Sequence, residues 1–330
     1  MTQRALVAGG GGFIGGHLAA ELLGTGVDVT VADIKPEDQW YQRHPRARNL
    51  VLDLEDPAAC LEALAEADVV YNLACNMGGM GFIENNRALC MNSVLINTNL
   101  LKQAQQQGVQ KYFYASSACI YPDYRQGETD LVALKESDAY PAMPEDGYGW
   151  EKLFSERLCR HYLEDFGMQV RVFRFHNVYG PFGTWDGGRE KAPAAICRKI
   201  IEAERNGSYE IEVWGDGEQT RSFMYIDDCI TGIDKLMASD YPEPLNLGRS
   251  ELVSINQLVD LVSEISGIEV KRTHNLSAPQ GVRGRNSDNT LIREVLGWEP
   301  GIDLRTGLTH TYRWIREQYL ARESGEKVVG

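Results

Sequence analysis

The chain has 330 residues, 43% of them hydrophobic, and a formal net charge of −14 from 47 acidic against 33 basic side chains. That length holds one large or two medium domains with real cores, no segment approaches the ~20 apolar residues needed to cross a bilayer, and the acidic balance argues against nucleic acid as a main partner. Seven cysteines without a Cys-x-x-Cys pair or regular spacing argue against a zinc site or a disulfide framework and for free thiols in a reducing, cytoplasmic compartment. Taken in order, Arg4 to Ala8 reads as a short buried strand, too short for a signal peptide, that meets Gly9-Gly10-Gly11-Gly12-Phe13-Ile14-Gly15. A helical pattern follows through Leu18, Leu22 and Leu23 to Gly24.

The glycines Gly9, Gly12 and Gly15 have the Gly-x-x-Gly-x-x-Gly spacing between a strand and a helix, where backbone amides and the helix N-terminus cradle a pyrophosphate. Phe13 and Ile14 belong to the same turn. A second strand, Val27 to Ala32, ends at Asp33, placed to bind an adenosine ribose diol and to repel a 2′-phosphate. That favours NAD over NADP, although Arg43, Arg46 and Arg48 downstream could still admit a phosphate. Leu50 to Leu52 reads as a strand ending at Asp53, a candidate for the adenine ring or, alternatively, a cap for the helix Ala58 to Leu64. Asp68 to Ala74 is a strand, Asn76 to Gly81 a loop, and Glu84 to Gln107 one long helix. Lys111 to Ser117 and Val170 to Phe175 are further strands, on either side of a helix that begins near Tyr148. Such alternation implies an α/β fold of the Rossmann type, a doubly wound parallel sheet with helices on both faces and ligands at the carboxyl ends of its strands.

After Phe175 the rhythm breaks at 176–181, and a loop rich in glycine and charge runs from Gly183 to Lys191. Pro193 fits the start of a helix reaching about Glu204. A strand at Val213-Trp214, a turn at 215–217, a helix opening at 226–228, a strand at Leu245 to Leu247 and a helix from Ser254 to about Ile265 follow. Two helices, near Leu291 and from Leu304 to Tyr319, precede a polar tail over Ala321 to Gly330. The expected division is a dinucleotide-binding domain over 1–175, rejoined by about 222–247, and a smaller C-terminal α/β substrate domain over 176–330.

Tyr148 and Lys152, four apart on a helix, project from one face. A phenol near pKa ~10 is a poor base at neutral pH, but a neighbouring ammonium favours its ionised form. Such a pair can take a proton from a secondary alcohol while a hydride leaves the same carbon. Ser117, about thirty residues earlier at a strand end, offers a hydroxyl to the reacting oxygen. With the glycine turn, this set resembles the extended short-chain dehydrogenase/reductase superfamily acting on nucleotide sugars. Arg221 to Asp228 is similar to that group's Arg-x-Phe-x-Tyr-x-x-Asp stretch near the substrate diphosphate, and Leu296 to Pro300 to its Leu-Gly-Trp-x-Pro ending.

Six blocks narrow the resemblance to the GDP-mannose 3,5-epimerase family: 77–83, 116–122, 175–177, 180–185, 188–195 and 282–288. The resemblance implies tightly bound NAD that is regenerated in each turnover, a GDP-hexose substrate, and a homodimer joined through the helices near Glu84 and Tyr148. It implies transient oxidation at C4, which acidifies the C3 and C5 hydrogens, and inversion by a base and an acid on opposite faces. Related dehydratases carry Thr-Asp-Glu where this chain has Ser117-Ala118-Cys119, and the resemblance assigns Cys119 and Lys191 as the base and acid. A thiol near pKa ~8.5 must be tuned downward for that role, with Lys191, Lys152 and Arg189 as candidates to do so. An acidic protein that binds a diphosphate needs concentrated cations; Arg221 and at least one of Arg283 and Arg285 are expected on phosphate, with Lys199 a further candidate. Asn177 is expected on sugar or phosphate, and Gly78 and Gly79 would let backbone approach the sugar. His161 reads as a solvated side chain, and His176 has no assigned role. The alternatives are a single-centre 3- or 5-epimerase, a 4-epimerase, which has no use for Cys119 and Lys191, and a non-catalytic sensor of NAD and nucleotide sugars, which has no use for Ser117, Tyr148 and Lys152.

Overall fold

The computed structural model describes residues 2–326 and 328. Its first half alternates strands and helices: β1 (Arg4–Ala8), α1 (Phe13–Gly24), β2 (Asp28–Asp33), β3 (Arg48–Val51), α2 (Pro57–Ala63), β4 (Val69–Asn72), α3 (Met80–Asn85), α4 (Arg87–Gln106), β5 (Lys111–Ser117), α5 (Tyr148–Phe166) and β6 (Gln169–Phe175). The second half is shorter in its strands: β7 (Asn177–Tyr179), α6 (Ala192–Asn206), β8 (Glu210–Trp214), β9 (Thr220–Arg221), β10 (Phe223–Tyr225), α7 (Ile226–Ala238), β11 (Leu245–Leu247), β12 (Val253–Ser254), α8 (Ile255–Ser266), β13 (Lys271–Asn275), β14 (Gly284–Arg285), α9 (Thr290–Leu296) and α10 (Leu304–Glu323).

Seven parallel strands form the central sheet in the order β3-β2-β1-β4-β5-β6-β11. Strand periodicity builds both of its faces. Ala5, Val7, Phe113 and Ala115 join one core with α1, α7 and the second half. Leu6, Ala8, Tyr112 and Tyr114 join the other with α2, α4 and α5. Strand order reverses between β1 and β4, so a crevice opens there at the carboxyl ends. Gly9 sits at that switch point with φ +80°, and a Cβ on it would lie 2.8 Å from the Ala74 nitrogen.

Several expectations are corrected. The single helix from Glu84 is two, α3 and α4, because Asn86 leaves helical geometry at φ −134°, ψ 40°; the expected loop at 76–81 therefore ends in helix. The break at 176–181 contains β7, which pairs with β10. An unforeseen strand, β13, pairs with β8; its polar sequence Lys-Arg-Thr-His-Asn gives no alternation to read. The expected polar tail is helical to Glu323, and its residues 327, 329 and 330 lie outside the described residues.

Candidate active site

A cleft of about 380 Å³ runs along the carboxyl ends of the sheet, from Asp33 and Asp53 past Gly9, Gly12, Phe13, Ile14 and Gly15 to Ser117, Tyr148 and Lys191. At its cofactor end, α1 starts with no side-chain cap and no acidic residue in its first turn, so its amides are left for an anion. A Cβ on Gly15 would lie 2.3 Å from the Gly9 carbonyl oxygen, so only glycine lets helix and turn close on each other. Asp33 is buried and accepts the Lys35 amide at 3.0 Å; burial holds its carboxyl above the ordinary range. Asp53 lines the cleft while accepting the Glu55 amide at 3.0 Å, and the cap of α2 is Asp56, not Asp53. Glycine cradle, bare helix start and an acid at the end of β2 fit a dinucleotide with a free ribose diol. The downstream arginines are engaged or exposed; Arg43, for instance, pairs with Glu37 at 2.6 Å.

At the reacting end, Ser117 closes β5 and caps the one-turn helix Ala118–Ile120, accepting the Cys119 amide at 3.2 Å. Its hydroxyl also favours ionisation of the Tyr148 phenol. A buried network locks this corner: Ser116 donates to Glu156 at 2.5 Å, and Arg174 holds the same carboxylate at 2.8 Å. Removing one partner of such a pair costs about 3–5 kcal/mol. Lys152 is also buried. Its Nζ stands 5.5 Å from the Tyr148 ring centroid and 3.5 Å from Glu151 Oε2. Glu151 is itself buried, with Oε1 taking bonds from Tyr114 and Ser155. Burial pushes the Tyr148 phenol well above its ordinary value, with Cys75, Cys119 and Glu151 adding to it. Burial opposes the Lys152 charge, but Cys75 and Glu151 outweigh it and keep the ammonium above its usual value.

Cys119 is buried in one cluster with Tyr148 and is not part of the cleft lining. Burial, then Glu145, pushes its thiol up to about 11, against an opposing effect of Arg285. Of the expected tuning cations, Lys191 is the one coupled to the thiol. Lys152 is engaged with Glu151, and the exposed Arg189 stacks over Phe82 at 3.9 Å. The guanidinium of Arg285 also donates to Cys119 Sγ at 3.2 Å. Lys191 opens α6 and lines the cleft, where burial pulls its ammonium down while Cys119 and Cys75 support it.

Pairing of β9 with β14 sets Arg221 and Arg285 side by side as register partners. Burial, reinforced by Arg285, pulls Arg221 down to about 9; its hydrogen bonds go to the carbonyls of Thr220 and Gln280. Two adjacent guanidiniums in an acidic protein suit an anion with two phosphates. Arg283 turns outward to Asp216 at 3.0 Å. Lys199 donates to the Glu212 carbonyl at 2.7 Å and lies over Trp214, outside the cleft lining. Asn177 donates to the Ser222 carbonyl, tying β7 to β10. The close approach that Gly79 permits is to the Lys191 loop: a Cβ there would lie 2.7 Å from the Glu190 carbonyl oxygen, and the Gly79 amide donates to Arg189 O. Gly78 packs on Phe82.

Three groups in or beside the site were given no comment in the sequence, and a fourth was named without a function. Cys75, Glu145 and Glu151 carry no spacing signal of their own, and His176 carried no role. The His176 imidazole lines the cleft, bonds Asn246 at 3.3 Å and is held neutral by burial, its pKa pulled down to about 3. Among the described residues no group of three His, Cys, Asp or Glu side chains is placed to hold a metal ion.

Comparison with known proteins agrees with this geometry. The rice (Oryza sativa subsp. indica) protein GDP-mannose 3,5-epimerase 1 is 49% identical over 316 residues, covering 96% of this chain and 82% of its own. GDP-mannose 3,5-epimerase of Arabidopsis thaliana is 48% identical over 313 residues, covering 94% of this chain and 82% of its own. The crystal structure of a UDP-glucose 4-epimerase with UDP-glucose, from Thermotoga maritima, matches with a TM-score of 0.87 at 26% identity, over 96% of this chain and 100% of that one. The profile of the NAD dependent epimerase/dehydratase family matches residues 5–248. With its glycine cradle, its Ser117/Tyr148/Lys152 corner and this match, the chain belongs to the NAD dependent epimerase/dehydratase family.

Proposed function

We propose that this protein is an isomerase that converts GDP-D-mannose to GDP-L-galactose by inverting C3 and C5 through a 4-keto intermediate. The observation that carries the reading is that Lys191 lines the same cleft as Ser117 and Tyr148, with Cys119 in a buried cluster beside Tyr148 and its amide on Ser117; close relatives are named for the same activity. The Gly9–Gly15 turn and Asp33 would hold NAD, which would supply reversible hydride chemistry at C4. Tyr148 would take the C4 hydroxyl proton as a phenolate, a state that the Lys152 ammonium and a positively charged nicotinamide would favour against burial, with Ser117 holding the same oxygen. Lys152 contributes its fixed charge and binds the nicotinamide ribose. Once C4 is a ketone, Cys119 removes a carbon-bound proton and Lys191 supplies one from the opposite face. Arg221 and Arg285 hold the diphosphate, and enclosure by the second half of the chain keeps the ketone from water. Residues 1–175 with 222–247 would bind NAD, and the remainder the sugar nucleotide.

A homodimer is part of the proposal. Leu89, Met91 and Leu95 on α4, and Trp150 and Phe154 on the adjacent α5, are exposed, an apolar surface that a second copy would cover. A cytoplasmic location is supported by seven free cysteines; among the described residues no helix is long and apolar enough to cross a membrane. The test is to incubate the purified protein with GDP-mannose, hydrolyse the nucleotide sugars and identify the hexoses. L-Galactose is expected; mannose alone, or its C4 epimer, overturns the proposal. Sedimentation equilibrium decides the dimer.

A further inference from the structure

Lys191 directly follows Glu190, and an acid and a lysine adjacent in sequence do pair in this fold: Lys152 Nζ stands 3.5 Å from Glu151 Oε2. At 190–191 that pair does not form. The Glu190 carboxylate turns to Arg198, whose Nη2 donates to Oε1 at 3.0 Å, while the Gly188 amide donates to Oε2 at 2.7 Å. Both partners are largely enclosed, with the Arg198 and Glu190 side chains 15% and 10% exposed. Arg198 lies on α6 two turns after Lys191, on the same face, and it gathers the loop that leads to Lys191. Its Nε donates to the Trp185 carbonyl at 3.1 Å and lies 3.5 Å from Asp186, and its Nη1 holds Glu202 at 2.8 Å. Gly187 and Gly188, at φ +87° and +84°, let the loop fold back onto that guanidinium. From the other side the Gly79 amide holds the Arg189 carbonyl at 3.1 Å. Among the described residues no carboxylate pairs with the Lys191 ammonium. The groups that act on it are Cys119, Cys75 and Cys229, which support its charge, and Arg285, which opposes it.

We propose that Arg198 is a positioning residue for epimerisation, which occupies the Glu190 carboxylate and so keeps Lys191 unpaired in the cleft as the acid. The inference rests on the reading of Lys191 as the group that returns a proton to the sugar. The gain has a definite sign. An opposite charge within about 4–6 Å stabilises an ammonium and raises its pKa by about 1–3 units. Paired with Glu190, Lys191 would hold its proton more tightly and give it up less readily, because proton transfer is most efficient when the donor's pKa lies near the working pH. Without that partner, burial in the cleft pulls the ammonium the other way, below its ordinary value. Asp186 and Glu202 share the charge of Arg198, but as acids neither can replace it on Glu190.

The test is Arg198→Met, which keeps a long side chain and removes the guanidinium, alone and combined with Glu190→Gln. Labelling with acetic anhydride across pH, read by mass spectrometry of the Lys191 peptide, reports the proton affinity of Lys191 with no substrate present. Arg198→Met releases Glu190 and should move the Lys191 midpoint up by at least about one pH unit; the double variant should return it to the wild-type value. Turnover of GDP-mannose should follow the same order, with kcat about 10-fold lower in Arg198→Met, KM little changed, and recovery in the double variant. A midpoint that stays in place in Arg198→Met, or a loss of kcat that the double variant shares in full, assigns Arg198 a structural role and overturns the proposal. Glu190→Gln alone tests the claim with Arg198 in place. Its Lys191 midpoint should equal the wild-type value, and a lower one would show that Glu190 already holds Lys191. Lys191→Ala separates the two levels: if it turns over GDP-mannose normally, the acid assignment fails, whereas if it is inactive and the midpoints do not move, only the role of Arg198 fails.

Discussion

Gly149 offers a sharp test of how the site is assembled. It is the second residue of α5, next to Tyr148, and it packs on the carbonyl of Cys119. A Cβ at this position would lie 2.2 Å from that oxygen and 3.1 Å from Pro144 Cβ, with the oxygen contact about 0.8 Å short of the 3.0 Å that real Cβ atoms respect. The partner is backbone, and the Glu145 amide already holds it, so no side chain can swing aside. In Gly149→Ala the start of α5 and the Cys119 turn must therefore separate by most of an ångström. Overpacking of this kind costs about 1–3 kcal/mol, and a misplacement near 1 Å costs about 100-fold in rate. Urea unfolding and single-turnover epimerisation measure the two effects, with Gly127→Ala as control, because a Cβ at Gly127 meets nothing within 4 Å. A Gly149→Ala enzyme with unchanged stability and full turnover would refute the claim that this contact sets the spacing of Tyr148 and Cys119.

Three further outcomes are expected. Arg221→Ala should raise KM for the nucleotide sugar about 10- to 100-fold, as loss of a charge-assisted bond worth about 1.5–3 kcal/mol implies, without lowering Tm, because it removes a half-buried charge that forms no ion pair among the described residues; an unchanged KM in steady-state assays would remove Arg221 from the phosphate site. Gly9→Ala should purify with little NAD, since φ +80° and the Ala74 backbone at 2.8 Å both resist a side chain; cofactor released on denaturation and read by absorbance measures this, and full occupancy would count against the cradle. Asp234 is raised to about 6, chiefly by burial. A carboxyl whose folded pKa is raised stabilises the fold relatively below its unfolded value near 3.8 and loses that stability as pH rises through 6. Asp234→Asn should accordingly stabilise the protein at pH 8 by about 1–2 kcal/mol, after discounting for partial exposure, and the gain should vanish near pH 4; a gain that does not depend on pH in urea titrations would refute the assignment.

The NAD end of the site was legible because its requirements are local. A strand, a glycine turn and a helix leave marks within thirty residues, and Asp33 follows at the end of the next strand. The same holds for Ser117, Tyr148 and Lys152. What remained hidden depends on contacts between distant segments. Arg221 and Arg285 are adjacent only because β9 and β14 pair across more than sixty residues, which is also why Arg285 could not be told from Arg283 in advance. The contacts around the acid and base groups were hidden for the same reason. Periodicity places Lys152 beneath Tyr148, but it does not reveal that Glu151 pairs with the ammonium or that Arg285 donates to Cys119 Sγ. The break at Asn86 and the polar strand β13 were missed because neither carries a proline, a glycine or an alternating pattern.

The most direct test of the central claim is proton NMR of GDP-mannose incubated with the purified protein in deuterated water, with no NAD added. Deuterium at both C3 and C5, with L-configured hexose appearing, is the expected result, because NAD held by the glycine cradle is regenerated in each turnover. Exchange at neither carbon, even after NAD is supplied, would contradict it.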